Sequence, residues 1–265
     1  MPIDISARFV FSLDRETDTL LQFEAAAIPE QHILSSDTRL PVAAHMARVP
    51  AQDDIGERVW LRAQGRCEVE YRASVDVHRI VTAIGALEGL APHTLPGDTV
   101  KYLFDSRYCQ ADRLQSFVEG EFGALGGGAR VEAMREWIAD HFTYDAVSTT
   151  NTTAIDSFVE RRGVCRDYAH VLIAFARASG IPARYVSAFA PGVDPPDFHA
   201  LAEVFLADQT MPGGGAWYMV DATGMADPAE TVKIGVGRDA ADVSFITTFG
   251  WAQFEEKVIA VTQTR

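Results

Sequence analysis

The chain has 265 residues, of which 48% are hydrophobic and 23% are charged, as is typical of a globular protein long enough for one large or two modest domains. Its formal net charge is −14 at pH 7, which argues against nucleic-acid binding because phosphate backbones are repelled. No apolar run approaches the ~20 residues that span a bilayer, and residues 1–14 lack the pattern of a signal peptide. We therefore expect a cytoplasmic protein that binds neither membrane nor nucleic acid.

The first part of the chain has the pattern of an antiparallel β-rich region. Strands are predicted at residues 5–13, 20–26, 59–63 and 67–77, and in the last of these apolar and polar residues alternate, as in a strand with one solvated face. Residues 85–98 are rich in Gly and Pro and lack periodicity, which indicates a connection. We expect a β-sandwich-like N-terminal domain of residues 1–105 and a second domain of residues 106–265.

Helical patterns follow this connection, and strand patterns return after them. Helices are predicted at residues 112–122, 130–142, 153–160 and 164–179, and strands at residues 184–189, 199–206, 217–220 and 254–262. The helix over residues 164–179 has a strong apolar stripe, and Gly180 and Pro182 end it. The predicted fold class is therefore α+β, with helices first and a sheet after them.

Cys165 lies in the first turn of this helix, where unpaired backbone N–H groups and the helix dipole favour an anion. A thiolate is such an anion, and a protonated imidazole beside it would make it a nucleophile at neutral pH. His170 is five residues further on, about 140° round the helix, so we expect it to face away and to be structural. Cys67 and Cys109 are expected to be inert. An isolated cysteine in an apolar helix is more often a core residue. Since His170 faces away, a catalytic role for Cys165 requires a different histidine.

His199 begins a predicted strand, and a Gly-rich loop joins that strand to the one that leads to Asp221. If the two strands pair with Val204 opposite Ala216, the antiparallel register places His199 opposite Asp221, with Cβ atoms ~5 Å apart. The carboxylate would then select the imidazole tautomer and leave the other ring nitrogen for the thiol.

Four segments carry a resemblance to a known family. They are GVCRDYAH at residues 163–170, GIPARYVS at 180–187, the segment 198–204, which begins with FHA and ends with EV, and VDAT at 220–223. With these segments the chain resembles the transglutaminase-like superfamily of cysteine enzymes, and it is similar to the bacterial branch in which a β-rich region precedes the catalytic core. The resemblance implies a papain-like core with Cys165 as nucleophile, His199 as general base and Asp221 as the orienting acid.

Two positions depart from the pattern of many relatives. Ala200 follows His199 where Trp is common, and Ala222 follows Asp221 where Pro is common. Neither change removes a reacting group, but a missing indole would widen or unseal the substrate channel. Tyr144 is a candidate substrate-binding residue that could bring its hydroxyl to the cleft, with packing against the core as the alternative.

The resemblance implies acyl transfer at a carboxamide through a thioester on Cys165. We expect hydrolysis of a peptide or isopeptide bond in a protein or peptide substrate, because transfer to an amine needs a site that excludes water. A protein-glutamine transamidase and a non-catalytic scaffold are the alternatives. No cofactor is expected, and a zinc site is disfavoured because a fourth protein ligand is missing. The sequence leaves the oligomeric state open.

Overall fold

The computed structural model of the chain describes residues 1–79 and 81–263. The strands and helices, in chain order, are β1 (Ile3–Leu21), β2 (Gln31–Arg39), β3 (His45–Pro50), β4 (Glu57–Val77), α1 (Gln115–Phe122), α2 (Gly127–His141), β5 (Thr143–Tyr144), α3 (Ala154–Glu160), β6 (Arg162–Gly163), α4 (Cys165–Ala178), β7 (Ala183–Phe189), β8 (His199–Ala207), β9 (Gly215–Val220), β10 (Val232–Gly237), β11 (Ile246–Thr248) and β12 (Ala252–Gln263). Helices and largely antiparallel sheets together confirm the predicted α+β class.

The first sheet is antiparallel and has six strands. β11, β1, β4 and β2 are neighbours in that order, β12 also pairs with β1, and β3 also pairs with β4. Along its long strands, side chains point alternately to the two faces of the sheet. In β1, for example, Phe9 and Phe11 are buried, whereas Ser12 is not. The buried face shares a core with Phe189 of β7 and Ile234 of β10. Strands from the second half of the chain therefore supply part of the layer that covers this sheet.

The C-terminal segment pairs with the first strand of the chain, while the predicted domains stay predictions. Residues 246–263 were expected in the second domain, but β11 and β12 pair antiparallel with β1, for example Val261 with Ile5. The physical reason is that β1 pairs with β4 on one side only, and the unpaired backbone groups on its other side accept a further strand. These closing strands therefore lie in the first sheet, while the boundary at residue 105 stays a prediction.

The second half is built around α4. One side of the helix packs against Ala202 and Val204 of β8, in the antiparallel sheet with the order β10, β7, β8, β9. On another side Phe175 contacts an aromatic cluster that includes Phe117 and Trp137, from α1 and α2. Because α4 is buried on several sides, its first residue is held firmly in place. No helix among residues 1–79 and 81–263 has both the length and the apolar composition to cross a membrane.

Candidate active site

Cys165 is the first residue of α4, and its neighbours hold this helix start in a defined shape. Asp167 is buried, and its Oδ2 accepts a hydrogen bond from the Val164 backbone N–H at 2.9 Å. The preceding Gly163 makes room for this contact, since a Cβ there would lie 2.6 Å from Asp167 side-chain atoms. Cys165 is free and partly exposed, whereas the other cysteines are free and buried. The thiol therefore sits where the sequence placed it, at the helix end that favours an anion.

His199 and Asp221 form a buried pair. His199 Nε2 donates a hydrogen bond to Asp221 Oδ2 at 2.9 Å, and the two residues are 1% and 5% exposed. Asp221 Oδ2 also accepts from the Ala226 N–H, and Oδ1 accepts from the N–H and the hydroxyl of Thr223, each at 2.8 Å. Burial raises the pKa of Asp221, but the hydrogen bond and charge of His199 and the other donors hold it below its ordinary value. The carboxylate is thus ionised and fixed.

The register that predicted this pair was wrong by two residues. Val204 lies opposite Tyr218 rather than Ala216, because β8 continues to Ala207 and pairs that residue with Gly215. A shift of two residues keeps each side chain on the same face of the sheet, and diagonal neighbours remain within reach of long side chains. Asp221 therefore still meets His199, although the two residues are not directly opposite.

The imidazole of His199 lies between the carboxylate and the thiol. Its Nδ1 is buried and without a hydrogen-bond partner among residues 1–79 and 81–263. Burial lowers the pKa of His199, but the hydrogen bond to Asp221 and the neighbouring Cys165 thiol together raise it to about 9. At neutral pH the ring is therefore held as imidazolium beside the sulfur. The structure thus brings together the three residues that the sequence singled out, while their catalytic roles stay predictions.

Tyr144 also lies at this place. β5 pairs with β6 so that Tyr144 is opposite Gly163, two residues before Cys165. Burial raises the pKa of the Tyr144 hydroxyl, and the Cys165 thiol raises it further, while the Cys165 backbone N–H acts in the opposite direction. The ring also packs against Tyr168 at a centroid distance of 5.9 Å. Tyr144 therefore packs against the core and brings its hydroxyl to the thiol, and substrate binding by it stays a prediction.

His170 lies away from this arrangement, as its position on the helix predicted. It is fully buried and stacks on Tyr108 at 5.2 Å, and its Nε2 accepts a hydrogen bond from the Ala240 N–H at 3.2 Å. Burial, together with the cations of Arg166 and Arg177, lowers its pKa well below the ordinary value. The imidazole of His170 is therefore neutral, stacked and hydrogen-bonded to the backbone, so its role is structural.

Three further charged residues lie near the site, and one of them, Lys257, was missed by the sequence reasoning. Arg166 donates to Ser148 Oγ at 2.6 Å and to the Thr149 carbonyl at 2.5 Å, and both acceptors line a polar cavity of about 300 Å³. Asp197, two residues before His199, contributes to the raised pKa of Tyr144 and pairs with Lys257 of β12. No local signal marks Lys257, because it comes from the first sheet.

No group of three or more His, Cys, Asp or Glu side chains in the described part of the chain is arranged to hold a metal ion. Cys165, His199 and Asp221 contact one another in sequence, with the imidazole in the middle. Such a relay can pass a proton from the thiol to the ring while the carboxylate stabilises the imidazolium.

Comparison with known proteins gives three findings. Residues 108–222 match the transglutaminase-like superfamily. The crystal structure of a proposed cysteine protease from Cytophaga hutchinsonii is 32% identical, with a TM-score of 0.87 over 99% of this chain and 90% of that chain. Uncharacterized proteins of Mycobacterium tuberculosis and Mycobacterium leprae are 35% identical over 147 residues and 29% identical over 125 residues, which are 50% and 43% of this chain and 46% and 42% of those proteins. The chain spans about half the length of these curated relatives.

Proposed function

This chain belongs to the transglutaminase-like superfamily of cysteine enzymes, and on that premise we propose that it hydrolyses a peptide, isopeptide or other carboxamide bond through a thioester on Cys165. One observation carries the proposal: a buried imidazole, His199, is held by Asp221 at 2.9 Å and lies beside the thiol at the start of α4. The proposed substrate is a protein or peptide. Three free thiols fit a reducing compartment, and we propose the cytoplasm as the location.

The first half of the proposed reaction forms the thioester. His199, whose pKa is about 9, takes the proton of the Cys165 thiol, and the sulfur attacks the carbonyl carbon. The C–S bond forms as the carbonyl π electrons move to oxygen, and the Cys165 backbone N–H in the first turn of α4 donates to that oxyanion. The Tyr144 hydroxyl lies beside the same N–H, and we propose it as a second donor. When the C–N bond breaks, His199 gives its proton to the leaving amine.

The second half releases the acyl group. Neutral His199 takes a proton from water, and the oxygen of that water attacks the thioester carbonyl. Collapse of the tetrahedral intermediate breaks the C–S bond, the acid product leaves, and the thiolate and imidazolium are restored. Asp221 remains ionised throughout and stabilises the charged ring.

Partial exposure of Cys165 supports water as the acceptor, since a thioester that water reaches is hydrolysed. Incubation with a glutamine-bearing peptide and a primary amine, followed by mass spectrometry, separates the two outcomes. We expect the acid as the main product, because the small Ala200 stands where an indole would seal the site. A stable amine adduct as the main product would show transamidation instead.

Alkylation tests the activation of the thiol without a known substrate. Cys67 and Cys109 are buried, so slower labelling of these two would show only their inaccessibility. The matched control is therefore His199→Gln, which keeps Cys165 equally exposed. At about pH 6, where ordinary thiols are scarcely ionised, we expect iodoacetamide to label Cys165 at least about tenfold faster in the wild type than in His199→Gln. Equal rates, with both proteins folded by circular dichroism, would remove His199 from the proposal.

A further inference from the structure

A lysine of the first sheet forms an ion pair with the segment that leads into β8, the strand that begins with His199. Lys257 lies in β12, opposite Phe9 of β1. Its Nζ is 2.5 Å from Oδ1 and 2.6 Å from Oδ2 of Asp197, which stands two residues before His199. The ammonium group also lies over the ring of Phe198, at 5.9 Å from its centroid. One cation thus contacts both residues that precede the imidazole.

These contacts reach the backbone next to His199. Asp197 Oδ1 accepts a hydrogen bond from the Phe198 N–H at 2.6 Å, so the carboxylate joins the lysine to the peptide that enters β8. The Phe198 ring stacks on Phe245 at 4.9 Å with an interplanar angle of 24°, and Lys257 lies 5.4 Å from the Phe245 ring as well. The entry to β8 is therefore held by a charge pair on one side and by aromatic packing on another.

The segment before β8 needs such support because it has little of its own. The span between Phe189 and His199 contains no helix or strand. The ladder to β7 begins only at His199 itself, which pairs with Ala188. The direction in which the chain enters β8 sets where the imidazole points, and the ring must meet both Cys165 and Asp221.

The stability of an isolated ion pair does not explain this arrangement. The side chains of Lys257 and Asp197 are 26% and 39% exposed, and exposed pairs contribute about 0–1 kcal/mol. Their placement matters more than their energy, because a shift of about 1 Å in a catalytic group costs up to about 100-fold in rate.

We propose that Lys257 is a positioning residue, through which the first sheet holds Asp197 and thereby sets the imidazole of His199 against the Cys165 thiol. The inference rests on the proposed function of Cys165 and His199. It assigns a role to the β-rich part of the chain, whose last strand places a cation at the start of the catalytic strand.

The test compares three variants. Lys257→Met keeps most of the aliphatic stem and its ring contacts but removes the charge, and Lys257→Arg restores it. Arg8→Met is the matched control, because it removes a cation that pairs at 2.6 Å with Glu256, the neighbour of Lys257 in β12. We expect kcat to fall about 10- to 100-fold in Lys257→Met with KM little changed. We expect Lys257→Arg to recover most of it and Arg8→Met to match the wild type.

NMR titration of the His199 ring gives a readout that does not depend on turnover. Loss of a nearby cation alone would raise the pKa of His199, whereas displacement of the ring from Asp221 and Cys165 would lower it. A lowered pKa in Lys257→Met, restored in Lys257→Arg, supports the positioning role. Where the wild type turns over substrate, an unchanged kcat in Lys257→Met overturns the inference. If the wild type shows no turnover, the proposed function fails. In that case an unchanged or raised pKa of His199 in Lys257→Met overturns the inference.

Discussion

Replacing Asp221 by asparagine tests the proposed site with little change in shape. Four donors converge on this carboxylate: His199 Nε2 and the Ala226 N–H at Oδ2, and the N–H and hydroxyl of Thr223 at Oδ1. An amide can accept at its oxygen only. With that oxygen in the Oδ2 position, just the Thr223 N–H loses its acceptor, because a hydroxyl can also accept from the amide NH2. One unsatisfied backbone group costs about 1–3 kcal/mol, so the variant should fold and keep its bond to His199.

The variant loses the negative charge, and the effect on His199 follows from the directions of the pKa shifts. The pKa of His199 is about 9 because Asp221 and Cys165 raise it against the effect of burial, so loss of the carboxylate's charge should lower this pKa. At pH 7.5 the imidazolium fraction is roughly 97% for a pKa of about 9, and it would be roughly 10% if the pKa fell to the ordinary 6.5. The proton for the leaving amine is lost with it, so turnover at pH 7.5 should drop at least about tenfold.

The assay is the pH dependence of kcat/KM on a peptide amide that the wild type cleaves. Activity should decline above about pH 9 in the wild type, since His199 loses its proton there, and the declining limb should move to lower pH in Asp221→Asn. Thr223→Val is the control, because it removes one hydrogen bond to Asp221 but keeps the charge, so its limb should stay near 9. The same declining limb in the wild type and in Asp221→Asn would refute the reasoning.

Two further predictions separate the chemistry of the site from the stability of the fold. Glu203→Gln leaves Arg184 and Lys233 buried around a neutral group, so the free energy of unfolding in urea should fall by about 3–5 kcal/mol. The control is Glu256→Gln at an exposed pair, which should change the free energy of unfolding by less than about 1 kcal/mol. Equal effects of the two substitutions would contradict this reasoning. Tyr144→Phe should lower kcat by up to about 100-fold through loss of a donor to the oxyanion, with a melting temperature close to that of the wild type; unchanged kcat would leave Tyr144 a packing residue.

Local signals in the sequence were sufficient for α4 and its cysteine. The predicted helix of residues 164–179 is observed as Cys165–Ala178. Asp167 bonds the Val164 N–H at its start, and Gly180 follows its end with a φ of +73°, which glycine adopts without strain. Because these causes lie within four residues of the helix ends, the sequence alone locates the thiol in the first turn.

Long-range pairing was beyond local signals. The β8 to β9 register depends on where strand pairing stops in the connecting loop, and a change of two residues leaves the alternation of apolar residues unchanged. The sequence could therefore place His199 and Asp221 on one face but could not set their offset. β12 likewise has an alternating pattern that is compatible with either sheet, and only the free side of β1 decides between them.

Glu203 gives β8 a second link to the first part of the chain. Its carboxylate lies 2.7 Å from Arg184 and 2.6 Å from Lys233, and these cations reach Asp53 at 3.1 Å and Glu30 at 2.8 Å. Burial raises the pKa of Glu203, but Lys233 and Arg184 lower it to about 2. The stabilisation from this carboxylate is therefore present above about pH 4.5 and is lost as the pH falls through about 2.

The strand β8, which begins with His199, is thus held at two points by residues from outside the α4 core. Lys257 holds its entry through Asp197, and Glu203 holds its middle through cations that bind the N-terminal segment. Burying three charged side chains costs desolvation energy that apolar residues would avoid, so stability alone does not account for the network. A nucleophile and a base must be held to within about 0.5 Å, and two distant anchors on one strand meet that requirement. We therefore expect residues 106–265 alone, without β1 and β4 to pair with, to lack an ordered site even where α4 forms.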